Sequence, residues 1–140
     1  MKFVVDASVA LKWLVAEADS EVALALRADN AIIAPDLLLI ECRNALLSKV
    51  RRRELKRAQA QDAERELGAI GIEIVASSAL LPEAFAIALD LAEPIYDCIY
   101  LATAIAADCK LVTADERFAA KASKSSAGQD RIELLGATSA

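Results

Sequence analysis

Histidine is absent from the 140 residues, which removes histidine acid–base catalysis, serine triads that rely on histidine and the common histidine metal sites. Any chemistry must rest mainly on carboxylates. Cysteine is scarce, and Cys42, Cys98 and Cys109 are odd in number, lie in apolar surroundings and form no CxxC pair. They read as small buried hydrophobes rather than a disulfide framework or zinc site, so a reduced, cytoplasmic setting is expected. No stretch of about 18 residues is free of charge, the length a membrane-spanning helix needs, so no membrane role is expected. The first residues, MKFVVD, carry an acid at position 6 and offer neither a signal-length apolar segment nor a small-residue cleavage site, so nothing there is expected to direct export.

What is abundant is apolar surface, at 56% of residues. That richness suits strands buried on both faces of a parallel sheet, and it leaves enough apolar surface for a dimer or partner interface. The length fits one compact domain spanning residues 1–140. A formal charge of −5 argues against binding nucleic acid by bulk positive charge alone and leaves local contacts open.

Strand-like and helix-like runs alternate along the chain. Residues 2–6 read as a buried strand ending at an acid, and helical spacing then starts through Val9, Trp13 and Leu14. Helices are expected at 19–28, 36–53, 54–67 (broken by Gly68 and Gly71), from Pro82 to 92, 97–108 and 115–122. Strands are expected at 31–34 (stopped by Pro35), 72–75, 110–113 and 132–135. Residues 122–130, ASKSSAGQD, read as a mobile surface loop, and the final ATSA as a frayed end. The alternation predicts an α/β fold with a mainly parallel sheet of about five short strands.

Four acids deserve comparison. Asp6 and Asp115 fall where a strand gives way to a helix, beyond the carboxyl ends of strands, where parallel sheets gather ligands. Asp97 stands at the start of another helix. Each can equally cap its helix by accepting free backbone amides. Glu41 is different, because it lies inside LLLIECRNALLSK with Leu37 to Ile40 and Cys42 around it, where no cap is needed and a buried charge is costly unless paired or metal-bound. It heads a polar stripe of Glu41, Asn44, Ala45, Ser48 and Arg52, opposite Leu39, Leu46 and Val50. Pairing with Arg52, or solvation at an edge, accounts for it equally well.

If these carboxylates converge they repel, at roughly 4 kcal/mol for charges about 4 Å apart in an effective dielectric near 20. A cation must then compensate, and oxygen-only ligands favour Mg²⁺ or Mn²⁺ over zinc. Such an ion binds a phosphodiester oxygen and lowers the pKa of water, so phosphodiester hydrolysis follows naturally.

Four blocks in order, VVDASVALKWL at 4–14, APDLLLIECRNAL at 34–46, YDCIYLATA at 96–104 and LVTADERF at 111–118, resemble the PIN domain and, within it, the VapC-type toxins of bacterial toxin–antitoxin pairs. The resemblance implies a PIN-like three-layer α/β/α fold. It makes Asp6, Glu41 and Asp97 metal-binding acids, with Asp115 as a fourth and often more peripheral member, and Ser8, Asn44 and Thr113 as supporting positions. It further implies a Mg²⁺- or Mn²⁺-dependent endoribonuclease that dimerises and is inhibited by a cognate antitoxin. The densest basic run, Lys49, Arg51, Arg52, Arg53, Lys56 and Arg57, offers RNA contacts or simply a solvated helix surface. Trp13, Tyr96 and Tyr100 are candidates for base stacking, with core packing the better reading for Trp13.

Two rival readings remain. An aspartate-nucleophile phosphatase built on Asp6 wants a second acid two residues on, where Ser8 stands. A binding module that grips RNA or a protein without cutting is the other.

Overall fold

Five short runs dominated by Val, Ile and Leu pair into one all-parallel sheet in the order β3-β2-β1-β4-β5 in a computed structural model that describes residues 1–137. In chain order the elements are β1 (Lys2–Val5), α1 (Ala7–Leu14), α2 (Ser20–Asp29), β2 (Ala31–Pro35), α3 (Leu37–Arg51), α4 (Arg57–Ala69) and β3 (Glu73–Val75). A 3₁₀ turn at Ser77–Leu80 leads into α5 (Leu81–Leu91), α6 (Ile95–Ala106), β4 (Lys110–Thr113), α7 (Glu116–Ser123) and β5 (Ile132–Leu134). The expected α/β class and parallel sheet are therefore what the chain adopts.

Strand β1 lies at the centre, with Phe3, Val4 and Val5 opposite Lys110, Leu111 and Val112 of β4 on one side, and Lys2, Phe3 and Val4 opposite Ala31, Ile32 and Ile33 of β2 on the other. The chain runs outward from β1 to β3, then crosses back to β4, so the winding direction reverses between β1 and β4. Because parallel crossovers are right-handed, the reversal sends α1 to α4 to one face and α5 to α7 to the other. The contacts agree: α1 packs on α2, α3 and α4, while α6 packs on α5 and lies across β1, β2 and β4. Helix α6 is apolar around most of its circumference, with Cys98 through Ala104 buried, which suits a helix laid across the sheet's centre.

Several boundaries differ from the sequence reading for local reasons. Helix α4 runs through Gly68 to Ala69; Gly68 is exposed, and its cost of about 1 kcal/mol relative to alanine is outweighed by burial of Ala63 and Leu67. Pro35 belongs to β2 rather than stopping it: it stands opposite Val75, and the following amide, of Asp36, bonds to the Val75 carbonyl. Helix α6 begins at Ile95, behind Pro94, so Asp97 sits in its first turn rather than before it, and its side chain makes no capping bond. The stretch 124–130 is a series of hydrogen-bonded turns, Ser125 to Ala122, Gln129 to Ser125 and Arg131 to Gly128. Gly128 is required there, because a Cβ would overlap the Ala122 carbonyl. The ATSA end lies, from residue 138 onward, outside the described residues. Among those residues no helix is long and apolar enough to cross a membrane.

Candidate active site

The reversal between β1 and β4 opens the crevice where parallel sheets place ligands, and Asp6 and Thr113 stand side by side at its lip. Asp6 is 7% exposed. Its Oδ1 accepts from Ser8 Oγ at 2.5 Å and from the Val9 amide at 3.3 Å, and its Oδ2 accepts from Thr113 Oγ1. Thr113, fully buried, also accepts from the Asp115 amide at 3.1 Å, and Ser8 Oγ accepts from the Ala114 amide at 3.0 Å. Two hydroxyls thus stitch the end of β1 to the end of β4. The capping expected of two of the acids is present: Asp6 caps α1 through Val9, and Asp115 caps α7 by accepting from the Phe118 amide at 3.0 Å.

Glu41 arrives from the opposite side. Leu38, Cys42 and Leu46 form the buried ridge of α3, which leaves Glu41, half-buried, facing the crevice. Arg52 does not hold it, since that guanidinium pairs with Glu54. Its partner is Tyr100 of α6, whose hydroxyl donates to Glu41 Oε1 at 2.5 Å. Tyr100 is buried, so it is unavailable for base stacking. Trp13 is likewise a core residue, with its Nε1 donating to the Ala23 carbonyl and Arg27 lying 5.6 Å over its ring. Tyr96 is 57% exposed and lines a 510 Å³ cleft with Ala7, Ile40, Glu41, Asn44 and Ala45. Asn44 is exposed there, and among the described residues Asp6 is hydrogen-bonded by Ser8, Val9 and Thr113 rather than by Asn44.

The four acids feel one another. Burial raises the Asp6 carboxyl above its usual range against the pull of Ser8 and Thr113, and Glu41 raises it further. Burial also raises Glu41, opposed by Tyr100 and reinforced by Asp97. Asp97 is pushed up to about 6 by burial and then by the charges of Asp6, Asp115 and Glu93. It has no hydrogen-bond donor among the described residues, which leaves both its oxygens open to solvent or an ion. The donor set is all oxygen, as a hard divalent cation prefers. In the arrangement described, no three acidic or thiol side chains stand close enough together to hold an ion among the described residues, so closing around one requires side-chain movement. The thiols take no part: burial pushes Cys42 up to about 12 and Cys98 up to about 11.

Sequence reading passed over Glu93, which falls between the helices expected to end at 92 and to start at 97. Its side chain is 4% exposed, accepts from both Nη atoms of Arg117 and pairs with Lys121 at 3.2 Å. Those bonds hold its carboxyl down to about 2 and keep the Arg117 charge near Asp97 and Asp115. No sequence signal marks that pair, which joins the α5–α6 turn to α7. Of the basic run, Lys49 and Arg52 line a 540 Å³ cleft that Ser8 and Ala114 also line, whereas Arg51 and Arg53 do not reach it. A larger cleft of 810 Å³ between α3 and α4, lined by Leu46, Leu47, Val50 and Arg57, contains none of the four acids.

Residues 3–124 match the family model of the PIN domain. No curated protein matches the sequence significantly. Among solved structures, the chain is similar to PAE2754 from Pyrobaculum aerophilum, at 22% identity and a TM-score of 0.67 over 96% of this chain and 84% of that one. It is similar to VapBC2 from Rickettsia felis bound to a promoter DNA fragment, at 15% identity and 0.65 over 96% and 98%. It is also similar to VapC20 from Mycobacterium tuberculosis, described as a sarcin–ricin loop cleaving toxin, at 18% and 0.62 over 84% and 93%. At such identities the likeness is one of fold.

Proposed function

Because the chain belongs to the PIN-domain family, we propose that it is a Mg²⁺- or Mn²⁺-dependent endoribonuclease in which Asp6, Glu41, Asp97 and Asp115 are the catalytic carboxylates. The observation that carries this reading is the set of four acids, delivered by four different elements to one crevice, coupled by charge and supported by Ser8, Thr113 and Tyr100. A structural role does not call for such a set: each charge raises the cost of its neighbours, and relief comes when a cation is shared.

The four carboxylates would hold the ion, which when bound supplies charge neutralisation at a phosphodiester oxygen and a more acidic water. The chain's own part is orientation. Ser8 and Thr113 fix both oxygens of Asp6, Tyr100 fixes Glu41, and Asp97 is left open to accept a proton or an ion near neutral pH. With both oxygens engaged, Asp6 is poorly placed as a nucleophile, which disfavours the phosphatase alternative.

We place the protein, on the same reading, as the toxin of a toxin–antitoxin pair acting in the cytoplasm. Support comes from the fold it shares with VapBC2 and with a toxin–antitoxin complex from Klebsiella pneumoniae. Exposed Phe85 and Leu89 on α5, with Ile40 and Leu47 on α3, offer apolar surface for an antitoxin or for a second copy in a homodimer.

The test is cleavage of RNA by purified protein free of any partner. Cutting should need Mg²⁺ or Mn²⁺, stop with EDTA, leave 5′-phosphate and 3′-hydroxyl ends, and fall at least about 100-fold in Asp6→Asn. Cyclic phosphate ends would contradict hydrolysis by water, and binding of many RNAs with no cutting would make the protein a binding module.

A further inference from the structure

The acid crevice continues into a second, oppositely charged cleft. Lys12 of α1 and Lys49 of α3 both pair with Glu17, at 3.5 and 3.2 Å, and their side chains are only 12% and 17% exposed. Lys12 is also anchored by donating to the Ala18 carbonyl at 2.7 Å. Two largely buried ammonium groups share one carboxylate, so the three charges sum to one positive charge, and Arg52, paired with Glu54, also lines the cleft. Lysine loses solvation and side-chain freedom when held this way, and one glutamate does not neutralise the pair.

The cleft and the acid site share a wall. Ser8 and Ala114 line the cleft, and the same Ser8 hydroxyl donates to Asp6 and accepts from Ala114. A polyanion bound at the carboxylates therefore meets the cleft that Lys12 and Lys49 line along the wall formed by Ser8 and Ala114. On a chain of net charge −5, such local cations are where a phosphate backbone gains attraction. We infer that Lys12 and Lys49, bridged by Glu17, form a phosphate-binding subsite for the RNA strand adjoining the scissile position. Glu17 acts as a positioning residue that the incoming phosphate partly displaces. The inference rests on the ribonuclease reading for its substrate class, and it assigns to Lys12 and Glu17 roles that the basic run at 49–57 does not suggest.

The experiment is binding of a fluorescein-labelled single-stranded RNA to the full chain in EDTA, followed by anisotropy across a salt series. Lys12→Ala/Lys49→Ala should bind about tenfold more weakly at low salt and lower the magnitude of the log–log salt slope by about 1.4, two contacts at about 0.7 each. Arg51→Ala and Arg53→Ala should bind like the wild type. Glu17→Gln should bind RNA more tightly than Glu66→Gln, which makes the same charge change on the exposed face of α4. That arm stands even if the double variant does not fold, since a purely structural bridge predicts no such gain. An unchanged slope in the double variant, or Glu17→Gln no tighter than Glu66→Gln, overturns the subsite. So does lysine-dependent binding of a polyglutamate peptide without any effect on RNA. Wild-type protein that binds RNA through these lysines yet cuts nothing with Mg²⁺ sinks the nuclease reading and leaves the subsite standing; cutting with an unchanged slope does the reverse.

Discussion

Replacing Asp97 by asparagine should stabilise the metal-free protein at neutral pH and leave it unchanged at acid pH. Burial and the charges of Asp6, Asp115 and Glu93 raise the Asp97 carboxyl from 3.8 to about 6. The folded state therefore binds its proton more tightly than the unfolded chain does. That favourable contribution is fully present below about pH 4 and is lost as pH rises through about 6. At about 1.4 kcal/mol per tenfold change in proton affinity, the full difference is about 3 kcal/mol. Asp97 is only partly buried, and screening of its neighbours brings this to about 1–2 kcal/mol. Asparagine keeps the shape and never ionises. In EDTA the melting temperatures of wild type and Asp97→Asn should coincide at about pH 3, below the unfolded carboxyl's range, and separate as pH rises. By pH 7.5 the variant should melt about 3–8 °C higher. Adding Mg²⁺ should then raise the wild type and not the variant, because binding to the folded state alone stabilises it. A difference that stays flat from pH 4.5 to 7.5, or a variant that is less stable at pH 7.5, would refute the claim that like charges and burial dominate at Asp97.

Three further outcomes follow from contacts already described. Tyr100→Phe leaves the ring in place but removes the donor to Glu41, so thermal melting should show a loss of about 1–3 kcal/mol, and RNA cleavage should fall. Because Tyr100 holds the Glu41 carboxyl down, the acid limb of the cleavage profile should also move to higher pH. Thr113→Val should cost about 1–3 kcal/mol in a denaturant titration by leaving Asp6 Oδ2 and the Asp115 amide short of a partner, while Thr113→Ser retains the hydroxyl and most of the stability. Gly128→Ala should destabilise by about 1–3 kcal/mol, since its Cβ meets the Ala122 carbonyl, a backbone atom that cannot swing aside; a variant as stable as wild type would mean that the turn relaxes freely.

The fold was legible in the sequence because its signals are local. The valine- and isoleucine-rich runs at β1, β2 and β4 are short, carry no charge beyond a lysine at the first position of β1 and of β4, and are followed directly by helical spacing, which is how strands buried on both faces of a parallel sheet read. The acids at their ends mark the carboxyl edge for the same reason. Glu41 was legible as a charge in a place where capping had no use for it. The boundary at Asp97 was misjudged because Pro94 starts α6 earlier than the polar pattern suggests. The frame of α4 was misjudged because a single exposed glycine costs less than two buried side chains return.

Absence of histidine, four ordered acids and the alternation of strand and helix are properties of the chain itself, so the carboxylate character of the candidate site and the α/β class belong to the sequence. Which groups face those acids is a property of the packed molecule alone. Tyr100 reaches Glu41 across 59 residues, Thr113 reaches Asp6 across 107, and Lys12, Glu17 and Lys49 meet only because α1 lies against α3. Separations of that length carry no periodicity for a sequence to display; the pairing of β4 beside β1, and the packing of α6 over both, bring those side chains within hydrogen-bonding reach.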